Sequence, residues 1–223
     1  MIVGTGLLAT AFNMYKDCNK VLIFASGVSN SAEQNDSEFE REINLLKTFI
    51  DTDMKLVYFG TTSIYDEDFK DSKYIKHKIF IENTIVTHSK NYIIFRLPTV
   101  IGISTNKNTF FNGIKDAIIN GNVYIKNNAV RYLIDIDSLS QYLPPIINTN
   151  KNCIMNVCFN NKAYVKDIVS LMGSIMKKDY LQYIIDGGYE YEINNSEFIS
   201  KIPIESIENT NFYTYNTLKK YLI

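Results

Sequence analysis

Three short stretches constrain the fold of this chain more than anything else in it. Residues 21–25 (VLIFA), 55–59 (KLVYF) and 92–96 (YIIFR) are apolar at nearly every position rather than at alternate ones. A strand with that pattern is buried on both faces, as in a parallel sheet. Between these stretches lie segments with helical periodicity. Ile43, Leu46, Phe49 and Ile50 mark a helix over residues 37–50, with Ser37 and Glu40 spaced as a capping box, and a second helix is expected over 71–86. Residues 1–4 (MIVG) read as a further buried strand, followed by a helix from Leu7 to Tyr15. Strands alternating with helices place the chain in the α/β class, with a parallel sheet covered on both sides. Beyond residue 102 the pattern loosens. Helices are expected at 109–120, 137–147 and 164–177, short strands near 123–125 and 154–158, and a short helix at 216–222 that ends a polar tail.

The turn after the first strand is Gly4-Thr-Gly6-Leu-Leu-Ala9, a G-x-G-x-x-A pattern between a strand and a helix. That is the context in which such a pattern holds a dinucleotide. Gly4 permits a tight turn, Gly6 lets a pyrophosphate approach the backbone, and the helix N-terminus supplies free N–H groups. A plain glycine-bearing turn would carry the same letters. The expected organisation is therefore a Rossmann-type dinucleotide-binding core over residues 1–104. A mixed region over 105–223 would carry substrate-binding segments and pack on the same core.

Composition removes several classes of function. Of 223 residues, 46% are hydrophobic and 13% aromatic, which excludes a disordered chain. Twenty-three basic residues against 24 acidic leave a net charge of -1, so nothing drives binding to nucleic acid. No apolar run approaches a membrane span, and the N-terminus lacks the basic segment of a signal peptide, so a cytoplasmic location is expected. Cys18, Cys153 and Cys158 are odd in number and lack metal-type spacing. With only His77 and His88, no multi-histidine metal site can form, and Asp135 with Asp137 reads as helix capping; no metal is expected.

Tyr74 and Lys78 lie four residues apart, on one face of a helix, where an ammonium could act on a phenol. A nearby cation lowers a tyrosine pKa from about 10 and suits the group to proton transfer. With 16 Tyr in a lysine-rich chain, chance supplies such pairs, and Tyr215 with Lys219 is a second. Tyr74 is distinguished by its context, after a buried strand and the hydroxyl-rich turn Gly60-Thr61-Thr62-Ser63-Ile64-Tyr65. A solvated helix pair is the alternative reading.

The order of these features resembles the short-chain dehydrogenase/reductase superfamily, and most of all the extended branch that modifies nucleotide-linked sugars. The resemblance is carried by the glycine turn, the strand ending Phe24-Ala25-Ser26-Gly27, the turn ending Ser63-Ile64-Tyr65, and Tyr74-Ile-Lys-His-Lys78. It continues through Asn44 in the preceding helix, the R-x-P-x-x-x-G segment from Arg96 to Gly102, Arg131-Tyr-Leu-Ile-Asp-Ile-Asp137, Met155-Asn-Val-Cys-Phe159, and the stretch from Ser200. It implies a Thr61/Tyr74/Lys78 catalytic site, with Thr61 bonding the substrate oxygen, Tyr74 transferring the proton, and Lys78 lowering its pKa and binding the nicotinamide ribose. It further implies NAD or NADP held by Gly4, Gly6, Leu7, Ala25, Ser26, Tyr74, Lys78 and Pro98. Thr61 and Arg131 would contact a nucleotide-sugar substrate, Arg131 at its diphosphate. Taken on their own, Thr61 could be a turn hydroxyl and Arg131 a surface charge. A homodimer through the helix of Tyr74 and its neighbour is a further implication.

Matched in this way, the strand at 21–25 corresponds to the family's fourth, so its second and third strands are missing. The expectation is a shortened sheet in which residues 2–3 lie directly beside 21–25, without the carboxylate that usually holds the adenosine ribose. Thr62 and Ser63 stand where related dehydratases carry Asp-Glu, which argues against a 4,6-dehydratase. The resemblance implies a keto-sugar reductase first, a 4-epimerase with retained cofactor second, and a non-catalytic binding protein on a reduced scaffold third.

Overall fold

The computed structural model describes residues 1–203 and 210–223. Its central sheet has five parallel strands in the order β1 (Ile2–Val3), β2 (Val21–Phe24), β3 (Lys55–Thr61), β4 (Tyr92–Leu97) and β9 (Cys153–Asn156). The expected shortening is present: Ile2 pairs with Ile23 and Val3 with Phe24, so no strand intervenes between β1 and β2. The middle strands are buried along almost their whole length, as their continuous apolar runs require.

Helices cover both faces. α1 (Leu7–Ala11) and α5 (Ile136–Thr149) pack on one, where Phe12, Phe59, Phe95, Leu139 and Leu143 form the largest core cluster. α2 (Asp36–Lys47) and α3 (Lys73–His88) cover the other, around Leu22, Phe24, Leu46, Tyr58 and Ile81. Several boundaries differ from the sequence reading, three of them near the glycine turn and the Tyr74 helix. The first helix ends at Ala11, and a 3-10 turn over Asn13–Tyr15 completes the segment. α2 is capped by Asn35, whose side chain accepts the Ser37 N–H at 3.1 Å, so Ser37 lies inside the helix and not at its cap. α3 starts at Lys73, with the Ser72 hydroxyl accepting the Ile75 N–H, which places Tyr74 in its first turn.

The rest of the chain forms short ladders and a second cluster. β5 (Thr99–Ile101) pairs with β8 (Leu133–Asp135), β7 (Val130–Arg131) with β10 (Ala163–Tyr164), and β6 (Asn122–Lys126) with β11 (Leu181–Ile185). α4 (Phe110–Ile119) and α6 (Val165–Met176) pack there through Phe111, Ile118, Ile168 and Met172. After α7 (Ser196–Ile199), α8 (Thr210–Leu222) starts six residues earlier than the expected 216–222. It is anchored at Asp135, which accepts from the Lys220 ammonium at 2.8 Å and the Tyr221 hydroxyl at 2.6 Å.

Candidate functional site

Side chains and backbone at the carboxyl ends of β2, β3 and β4 open onto one groove of about 810 Å³, within the size range of small-molecule sites. The glycine turn forms one wall. Gly4 has φ +126, and a Cβ there would lie 2.3 Å from the Ala25 carbonyl oxygen. Its service is therefore to bring β1 against the end of β2. Gly4 is not among the groove-lining residues, contrary to its expected contact with a cofactor. Gly6 is: it is the N-cap of α1, and a Cβ there would meet nothing within 4 Å. Open space beside a helix N-terminus is what a phosphate group needs. Leu7, Ala25, Ser26, Thr61, Tyr74, Lys78, Pro98 and Arg131 also line the groove. The structure thus brings together every expected site residue except Gly4.

Tyr74 is 7% exposed. The Thr61 side chain is close enough to act on its phenol, and the Thr61 oxygen accepts the Ser63 N–H at 3.1 Å. Thr61 ends β3 and starts a 3-10 turn over Thr62–Tyr65, so its hydroxyl is held from both sides. Burial pushes the Tyr74 phenol up to about 12; Thr61 opposes this and the charge of Glu42 adds to it. Burial, Thr61 and Glu42 set this value, and the Lys78 ammonium is hydrogen-bonded to other groups.

Lys78 is 3% exposed and faces a carboxylate that the sequence reading passed over. Its Nζ lies 3.3 Å from Glu42 Oε1 and donates to the Tyr58 hydroxyl at 2.9 Å. Glu42 also accepts from Tyr58 at 2.7 Å and the Val28 N–H at 2.6 Å, with His77 Nε2 at 2.9 Å from its other oxygen. Burial alone would raise the Glu42 carboxyl, but Lys78, His77, Val28 and Tyr58 together hold it down at about 2. Burial pushes Lys78 below its ordinary value, and Glu42 is the main group pulling it back. The backbone passes close over this cluster: a Cβ on Gly27 would lie 2.7 Å from Lys78 Nζ.

Asn44, expected beside the catalytic strand, is exposed on the outer side of α2; Glu42 is the buried polar residue of that helix. A signal for it existed. Glu42 falls three residues after Phe39 and four before Leu46, inside the apolar stripe that α2 buries.

Arg131 is neither a surface charge nor an unpaired cation. Its Nη1 donates to Asp66 Oδ2 at 3.1 Å and to the Val130 carbonyl at 2.7 Å, and the guanidinium lies 5.5 Å from the Phe69 ring and 5.8 Å from the Phe110 ring. Burial raises the Asp66 carboxyl, and Arg131 is the main group opposing that. Asp66 directly follows the turn and offered no periodicity by which to place it.

The groove lining contains neither Asp nor Glu, so no carboxylate stands ready for an adenosine ribose among the described residues. Arg41 of α2 also lines the groove, and its Nη1 donates to the Ser26 carbonyl and hydroxyl, both at 3.1 Å. Among the described residues there is no cluster of metal-ligating side chains, and no helix is long and apolar enough to cross a membrane.

No protein-family model matches the chain, and no curated protein matches it. Solved structures do. An NAD⁺ complex of the Bordetella bronchiseptica enzyme WbmH superposes with a TM-score of 0.70 at 14% identity, over 99% of this chain and 83% of the other. UDP-glucuronic acid 4-epimerase from Bacillus cereus, with UDP-glucuronic acid and NAD, gives 0.68 at 17% identity, over 94% of this chain and 78% of the other. A dTDP-4-dehydrorhamnose reductase from Clostridium acetobutylicum gives 0.66 at 13% identity, over 97% and 84%. The chain therefore shares the Rossmann-type α/β fold of these solved structures, in shortened form.

Proposed function

We propose that this chain is an NAD(P)-dependent oxidoreductase that reduces the keto group of a nucleotide-linked sugar. The observation that carries the reading is a buried phenol, Tyr74, that lines one groove together with Thr61, Lys78 and the end of the glycine turn. The solved structures of like fold include enzymes named for nucleotide-linked sugars, in complexes with NAD. The groove fits the pyrophosphate and nicotinamide half of a dinucleotide: Gly6, Leu7, Ala25, Ser26 and Pro98 line it, and the space beside Gly6 is open. Bound there, the cofactor supplies hydride.

The chain's own residues do the rest. Thr61 and Tyr74 hydrogen-bond the substrate carbonyl oxygen and fix its orientation. Tyr74 gives its proton to that oxygen as negative charge develops there. Arg131 keeps donors beyond Nη1, and these suit a diphosphate, with the paired Asp66 fixing the guanidinium. A 4-epimerase must first remove a proton from a sugar hydroxyl. A phenol pushed up to about 12 is a poor base at neutral pH and a competent donor, which favours reduction.

A homodimer through α2 and α3 accompanies the reading, supported by Ile79, Phe80 and Val86, which are exposed along α3. Gel filtration of a Phe80→Glu variant tests it. The activity is tested by consumption of NADH and NADPH with nucleotide-linked 4-keto sugars. Turnover that Tyr74→Phe lowers by about two orders of magnitude or more is expected, since it deletes the acid and almost no volume. Near-normal turnover in that variant refutes the assignment.

A further inference from the structure

We propose that Glu42 is a positioning residue whose carboxylate takes up the charge of Lys78, so that Tyr74 serves as a proton donor and not as a base. The geometry is specific. Glu42, a wholly buried residue of α2, sits where α3, β3 and the loop after β2 converge on it: it accepts from the Val28 N–H of that loop, from the Tyr58 hydroxyl of β3 and from Lys78 of α3, with His77 of α3 also at its carboxylate. Lys78 is held by two oxygens of this cluster, Glu42 Oε1 and the Tyr58 hydroxyl. Its Nζ also lies over the Tyr58 ring, 5.1 Å from the centre, and over that of Tyr74 at 5.9 Å, but its hydrogen bonds go to Glu42 and the Tyr58 hydroxyl. An adjacent ion pair acts on a third group through a dipole, whose field falls off faster than that of a lone charge. The other charged or titratable groups around the cluster are Arg41 on α2, His77 and Glu82 on α3, and Tyr58 on β3.

In the reaction, the proton on the Tyr74 oxygen passes to the substrate carbonyl oxygen, while a cofactor held in the groove would supply the hydride for the carbonyl carbon. The alcohol leaves, and the phenolate regains a proton from solvent in the groove. Glu42 touches none of the reacting atoms. The inference rests on the proposed reduction for the destination of the proton, but the charge arrangement can be tested in the free protein.

The experiment follows ionisation of Tyr74 by NMR in protein labelled at tyrosine Cζ, with Tyr74→Phe identifying the resonance. In the wild-type protein Tyr74 remains a phenol through about pH 10. In Glu42→Gln, Lys78 is left uncompensated, and the Tyr74 midpoint falls by about one to three pH units, the effect of an opposite charge at such range. Glu42→Asp, which keeps the charge, stays with the wild type. An equal midpoint in folded wild-type and Glu42→Gln protein overturns the proposal, whether or not any substrate has been found. The double variant Glu42→Gln/Lys78→Met removes both charges and tests the idea even if the single variant fails to fold. Its Tyr74 midpoint matches the wild type if the pair is self-compensating. A rise of about a unit or more shows that Lys78 had been acting on Tyr74 all along, and overturns it.

Discussion

Acidification should unlatch the Glu42 cluster before it disturbs the rest of the sheet. The folded-state carboxyl sits at about 2 against an ordinary value of 4.5. Each unit of such a difference is worth about 1.4 kcal/mol, so the charged form contributes roughly 3 kcal/mol to folding. Because the folded value is the depressed one, this stability is fully present above pH 4.5 and is lost as pH falls toward 2. By about pH 3, roughly 2 kcal/mol of it is gone, a large share of a typical domain stability of about 5–15 kcal/mol. Asp66 works in the other direction: its carboxyl is raised by burial, so its contribution declines as pH rises, and acidification removes nothing from it. The assay is urea unfolding at pH 7, 5 and 3 on wild-type protein and Glu42→Gln. The variant starts less stable at pH 7, and the gap narrows by about 2 kcal/mol at pH 3, because only the wild type has that carboxylate to lose. Parallel losses in the two proteins would refute the reasoning.

Three other outcomes follow from the structure. Gly4→Ala forces φ +126 on a residue with a Cβ and sets that atom 2.3 Å from the Ala25 carbonyl oxygen; backbone strain of about 1–3 kcal/mol plus a similar overpacking cost should lower the thermal midpoint by several degrees or prevent folding. Tyr215→Phe, at the exposed Tyr215/Lys219 pair of α8, should leave turnover and stability unchanged; a large loss of turnover there would show that the Tyr74 pair had been misassigned. Calorimetry with NADH and NADPH should give dissociation constants in the high micromolar range or above, with little preference, since the lost ribose contacts are worth about 1.5–3 kcal/mol each; submicromolar binding would show that the site is rebuilt, for instance around Arg41.

The sheet was readable in the sequence because its strands are buried on both faces and carry continuous apolar runs, and because β1 and β2 are too close in the chain for another strand to fit between them. The grouping of Thr61 with Tyr74 was readable because element ends fix it: Thr61 terminates β3, and Tyr74 lies in the first turn of the helix that follows. Other features escaped for physical reasons. β11 is exposed at all five residues and shows no burial pattern to read. The Ser37/Glu40 spacing matched a capping box, but Asn35 reached the helix first. The surroundings of Tyr74 depend on a residue 32 positions earlier, since Glu42 and Lys78 meet only because α2 and α3 pack on the same face of the sheet. Residue spacing shows that a lysine is near a tyrosine, but not that a carboxylate from another helix has already claimed it.

The shortened sheet has a consequence at its margins. A strand at a sheet edge presents unpaired N–H and C=O groups that can recruit another chain, and a sheet cut back through its middle would expose a long apolar one. Here the outer strand on the cut side is β1, two residues in length, which offers almost no template for a foreign strand to follow. The opposite margin, β9, has four residues and is preceded by Asn152 in a left-handed conformation, with α7 packed against it. The shortened sheet leaves neither flank long enough to polymerise.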